Sequence, residues 1–142
     1  MAVDTLIFER GDCWWLITSL DRIGSGDATY ELHVYSAANP LAEEWSPHPQ
    51  NPVKVDSLGG RNAGIAMIDG RLFRFGQTQG FDRYGTGVMI FEIDTLTPHA
   101  YHETPLQEVR PSNDRTVLGT HHLSGAGAYT AFDQARKAYF VP

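Results

Sequence analysis

The chain has 142 residues, 42% hydrophobic and 20% charged, with three Trp, six Tyr and seven Phe. That suits one folded domain, which at this size buries roughly two thirds of its unfolded surface, and it excludes a disordered segment. A formal charge of −6, with eleven scattered Lys and Arg, argues against nucleic acid and anionic membrane as partners.

The single cysteine, Cys13, has no internal disulfide partner and sits in an apolar run, as a structural thiol does. The amino terminus lacks a basic leader followed by a long apolar core, and no stretch approaches eighteen apolar residues, so the expectation is a soluble, cytoplasmic protein.

Taken in order, residues 4–9 (D-T-L-I-F-E) and 13–19 (C-W-W-L-I-T-S) flank Arg10-Gly11-Asp12 and read as a hairpin. Tyr30 to Tyr35 alternates strictly and predicts a third strand. A fourth, outer segment near Glu44-Trp45 is ended by Pro47, Pro49 and Pro52, which donate no ladder hydrogen bonds and belong at an edge or in a connector. A second round follows. Ala63–Ile68 and Leu72–Thr78 flank Asp69-Gly70-Arg71, the strongest turn signal in the chain. Gly87–Asp94 is the next strand, and residues 99–104 an outer one. A third round is expected as strands at Thr116–Leu123, Ala126–Phe132 and Lys137–Val141, the last after a turn at Asp133–Arg136. No segment carries a clean helical stripe.

The turns recur, with 59 residues from Gly11 to Gly70 and 65 from Gly70 to Ala135. A repeat of about sixty residues in four strands is the pattern of a β-propeller blade. The expected fold is all-β: one domain, an incomplete β-propeller of two to three four-stranded antiparallel blades at about 4–46, 61–105 and 116–142. A β-sandwich also gives short strands at such intervals and stays open as the alternative. An open arc exposes apolar blade faces, so a homo-oligomer, or a partner chain that closes the ring, is expected.

Several residues carry a family resemblance. They are His48-Pro49, Asn51-Pro52-Val53, Arg61, Ala63-Gly64, Asp69-Gly70-Arg71-Leu72, Gln77, Tyr84-Gly85, Glu92-Ile93, Leu96-Thr97, Tyr101 with Glu103, and Gly119-Thr120-His121-His122 followed by Tyr129 and Asp133. In order and spacing they resemble the amino-terminal domain of glucosamine inositolphosphorylceramide transferases and related bacterial proteins. That resemblance implies a five-bladed propeller akin to the furanosidase superfamily of glycoside hydrolases. It covers most of this chain and about half of the family's domain. Two departures bear on chemistry: the early acidic residue that such hydrolases use is missing, and Thr78 stands after Gln77 where the pattern leads to an Asp.

Glycoside hydrolysis needs two carboxyl groups at a fixed separation. Glu9, Asp82, Glu92 and Glu103 are the candidates, and spacing pairs none of them, so the catalytic residues stay unassigned and enzymatic activity stays open. Arg61 and His121 fall near the inner strands of successive blades, where they can meet at one ligand. Arg offers a planar fork of donors, and His donates, accepts or titrates near neutrality. Gln77 and Tyr84 resemble family positions and are ordinary sugar-binding side chains. The competing reading ties Arg61 and Gln77 to backbone carbonyls as links between blades.

His121 and His122, as strand neighbours, point to opposite faces and do not share a metal ion, so neither metal nor cofactor is expected. Trp14, Trp15 and Trp45 serve either packing or a sugar-stacking platform. The expected function is a carbohydrate-recognising module related to glycan-modifying proteins, its ligand site at Arg61, Gln77, Tyr84 and His121. The alternatives are a furanosidase-like hydrolase completed by oligomerisation, and a structural assembly module.

Overall fold

A computed structural model describes residues 1–24, 26, 28, 30–80, 83–111, 116–126 and 129–137, and at positions 80, 83, 84 and 126 the backbone alone. The protein is all-β, and among the described residues no helix is present.

The first sheet is a meander of β1 (Ala2–Arg10), β2 (Cys13–Leu20), β3 (Glu31–Ala37) and the short β4 (Ser46–Pro47), with β5 (Lys54–Val55) also pairing β3. Gly11, at φ 65°, turns β1 into β2, and Arg10 faces Cys13 across the closed hairpin. Pro47, on β4, lies at the edge, as its missing N–H requires. From there the proline-rich connection keeps bonding to β3. His48 N–H donates to Val34 O (2.9 Å) and Val53 N–H to Leu32 O (2.8 Å). Between them the Asn51 side chain accepts from Val34 N–H (2.8 Å) and donates to Val34 O (2.7 Å). A side-chain amide thus replaces a strand residue where prolines interrupt the ladder.

The second sheet is a longer meander of β6 (Leu58–Ile68), β7 (Arg71–Gly80), β8 (Arg83–Leu96) and β9 (Tyr101–Val109). Asp69 and Gly70 both take positive φ, 50° and 75°, between the paired residues Ile68 and Arg71. That is the two-residue turn whose twist matches the flanking strands.

The third portion differs from the expected long strands. It consists of β10 (Val117–Gly119), β11 (Leu123–Ala126), β12 (Tyr129–Phe132) and β13 (Ala135–Arg136), arranged as two ribbons, β10 with β13 and β11 with β12. Residues 120–122 are not in a strand, and Ala135–Arg136, expected in a turn, pairs with β10. The reason is local: Asp133 accepts from the backbone N–H groups of His121 (2.9 Å) and His122 (2.8 Å), a side-chain alternative to the ladder. The strand expected at Lys137–Val141 lies mostly outside the described residues.

The second sheet is the middle layer. One face joins the first sheet in a core of Trp15, Ile17, Leu32, Val34, Leu72, Ile93 and Tyr101, with Cys13 packed against it. The other face packs Ala63, Ala66, Phe75 and Val88 against Leu123 of β11. Two glycines set that second contact. A Cβ on Gly64 would collide with the Leu123 carbonyl oxygen, and one on Gly85 would lie 2.8 Å from His121 Cβ.

Candidate functional site

The leading strands of the two sheets, β1 and β6, run beside each other, and residues 121–122 approach them from the third portion. Together they enclose a cleft of about 190 Å³ whose lining includes Asp4, Asn62, Gly64, Gln77, His121 and His122.

Asp4 is the residue on which the cleft converges. It sits in a register break between Val3 and Leu6 and adopts φ 51°, a left-handed conformation that Asp tolerates better than most residues. Its Oδ2 accepts from Arg61 Nε, in an ion pair, and from Gln77 Nε2 at 3.2 Å. Its backbone carbonyl accepts from Asn62 Nδ2 at 3.0 Å, and the same amide donates to Ile17 O at 3.1 Å. Gln77 Nε2 also reaches Asn62 O at 2.8 Å. Asn62 and Gln77 are buried, at 1% and 3% exposure, while the Asp4 side chain is 34% exposed. A rigid, satisfied network therefore presents one partly open carboxylate.

The opposite wall is held by Asp133. Besides the two backbone N–H groups, it pairs through Oδ2 with His121 Nδ1, and Thr120 Oγ1 donates to its backbone carbonyl at 2.7 Å. Burial raises the Asp133 pKa, but the two backbone donors and the neighbouring His121 outweigh it and hold the carboxyl below its ordinary range. The carboxylate fixes the ring by its Nδ1 side.

Arg61 and Gln77 thus meet at Asp4, and His121 lines the same cleft as Gln77. Tyr84 lies on β8, and its side chain is outside the described residues. Among the described bonds, Arg61 and Gln77 link the sheets through the Asp4 carboxylate, while the bond from Gln77 to the Asn62 carbonyl lies within the second sheet.

The carboxylates proposed from sequence lie elsewhere. Glu9 is exposed, and Glu92 pairs with Arg71 at 2.7 Å. Glu103 is enclosed between the sheets, accepting from Arg74 Nε and Nη2, both at 2.7 Å, and from Tyr101 at 2.6 Å. Asp82 is outside the described residues. Thr78 is 1% exposed and shares a hydroxyl contact of 3.3 Å with Thr86, away from the cleft. Trp15 is buried in the core, and Trp14, its neighbour on β2, faces the other way. Among the described residues no group of three or more His, Cys, Asp or Glu could hold a metal ion.

Asp4 is not legible as a site residue from sequence, because D-T-L-I-F-E reads as a plain strand. The register breaks between Val3 and Leu6, ahead of the regularly paired Leu6-Ile7-Phe8, and no residue type there marks it in the sequence.

Residues 1–126 match the family described as glucosamine inositolphosphorylceramide transferase 1, N-terminal. The chain is 33% identical over 107 residues to proteins named glucosamine inositolphosphorylceramide transferase 1 from Oryza sativa subsp. japonica and subsp. indica. The aligned part is 73% of this chain and 14% of each rice protein, so the chain spans a small part of the relatives it matches. No solved structure matches it. Among the described residues no helix is long and apolar enough to cross a membrane.

Proposed function

The chain belongs to the glucosamine inositolphosphorylceramide transferase 1 N-terminal family, and from that premise we propose that it is a carbohydrate-recognising module of a glycan-modifying protein. The observation that carries the reading is the cleft where β1, β6 and residues 121–122 bring Asp4, Gln77 and His121 together. Polar side chains fixed by buried partners, around a hollow of about 190 Å³, suit a single sugar ring. Pockets for drug-sized ligands run to about 300–1,000 Å³. Arg61 holds the Asp4 carboxylate, and Tyr84 completes the residue set expected of the site.

The finer architecture is proposed with it. Each four-stranded meander is read as a propeller blade, since its strands follow in sequence order and do not cross between sheets. A further blade, from a second copy or a partner chain, then covers the outward face of the first sheet. The hydrolase alternative requires a second carboxyl group about 5–10 Å from Asp4. Among the described lining residues Asp4 is the carboxylate, so the recognition reading leads.

The test is binding of methyl glycosides followed by NMR, comparing wild type with Gln77→Ala and Arg61→Ala. Loss of binding with folding retained supports a ligand site. Unchanged binding in both variants removes it.

A further inference from the structure

An arginine in a candidate sugar site suggests a clamp for phosphate or carboxylate groups. The geometry of this cleft points the other way. Arg61 Nε is committed to Asp4 Oδ2, and Gln77 Nε2 donates to the same oxygen at 3.2 Å. Among the described residues the side-chain donors to Asp4 meet Oδ2, and no hydrogen bond to Oδ1 accompanies them on this cleft-lining residue. Of the described side chains lining the hollow, Asp4 is the one with a formal charge when the histidines are neutral.

The carboxylate is also held in place before any ligand arrives. Its backbone carbonyl is bonded by Asn62, which is 1% exposed and bridges to Ile17 on the neighbouring strand. Two donors fix the orientation of the carboxylate itself. Little side-chain freedom remains to be lost on binding, which favours whatever ligand the charge accepts. A carboxylate accepts only, so the matching ligand presents O–H groups. A bound phosphate or carboxylate would bring like charge toward Asp4, and, with Arg61 already engaged on Oδ2, its deprotonated oxygens offer Oδ1 no donor.

We propose that the cleft selects neutral hydroxylated ligands, a sugar ring gripped through Asp4 Oδ1, and excludes sugars that carry phosphate or carboxylate. This rests on the cleft being the ligand site, and it adds the class of sugar.

The experiment titrates the full chain with neutral methyl glycosides, hexose 6-phosphates and glucuronate. It follows the side-chain amide signals of Asn62 and Gln77 and the backbone amides of His121 and His122. The expected result is that a neutral glycoside shifts these signals and binds at least about tenfold more tightly than the anionic sugars at low salt, a gap that shrinks as salt screens the charge. Asp4→Asn keeps the shape and tolerates the left-handed backbone, and it is expected to weaken the neutral ligand about tenfold and narrow the discrimination. The comparison on wild type needs no variant, so it stands even if Asp4→Asn fails to fold. Anionic sugars binding as tightly as neutral ones overturn the selectivity while leaving the site intact. No response of these four residues to any sugar removes the site itself.

Discussion

Arg74 is fully buried, and its charge is answered by Glu103, which is 6% exposed and also takes Tyr101 O–H and, at 3.2 Å, Lys54 Nζ. The ring of Phe91 lies 4.7 Å from the guanidinium, and Asn62 Oδ1 accepts from Nη1 at 3.2 Å. Burial works against the Glu103 carboxylate, yet Arg74 and the hydrogen bonds overcome it and hold its pKa below the ordinary range; burial pushes the Tyr101 hydroxyl up. Glu103→Ala leaves a buried cation with too few acceptors, and chemical denaturation is expected to show a loss of about 3–5 kcal/mol. Replacing Arg74 and Glu103 together by Met and Leu is expected to restore most of it. None of this was legible residue by residue. Nothing in L-F-R-F points its arginine to an acid, and Glu103 reads as one of four unpaired carboxyl candidates, because each is explained by a partner 29 residues away. Asp4 escaped for the same reason, its donors lying on another sheet.

At the scale of elements, turns announce themselves and side-chain-held loops do not. Asp69-Gly70 was readable because a two-residue turn with both φ positive demands such residues. The third portion was misread because 120–122 are held by Asp133, whose role depends on how a distant loop folds back. This gives a pH dependence. A carboxyl whose folded pKa is depressed contributes stability that is fully present above its unfolded value, about 3.9, and lost as pH falls through the folded value. Protection of the amides of residues 117–126 and 129–136, the exchange rate taken relative to that of an unstructured chain at the same pH, is therefore expected to be steady from pH 7 to about pH 4 and to fall below it. In Asp133→Asn that acid step should disappear, and protection should be low throughout. An acid step of undiminished size in the variant would assign it to another group.

For the whole molecule, the middle sheet is covered on both faces and the first sheet on one. The uncovered side of the first sheet carries Ile7, Leu16 and Tyr35 in register across three strands, with Ile7 49% exposed. A row of that kind is the usual mark of an interaction surface. Light scattering is expected to give a mass above the 15.8 kDa of one chain, and a charge placed at Ile7 (Ile7→Glu) to return it to one. A single-chain mass for wild type would contradict the second copy. The succession of antiparallel strands was legible because hydrophobic alternation and turn spacing are local. The bond from His48 Nε2 to Thr97 O at 3.1 Å, which ties the proline connection to the second sheet, was not.

The cleft draws one wall from each of three successive portions of chain, and the third is attached through Leu123 and the close approaches at Gly64 and Gly85, while Asp133 holds its own fold. Occupancy and attachment are then linked functions. A ligand that binds only the assembled cleft stabilises the assembly by RT ln(1 + [L]/Kd), about 2.7 kcal/mol at a hundredfold excess over Kd. By reciprocity, whatever loosens residues 119–136 lowers affinity by the same free energy. A sugar bound there would act as a clasp, and resistance of the third portion to proteolysis would become a readout of the glycan supply.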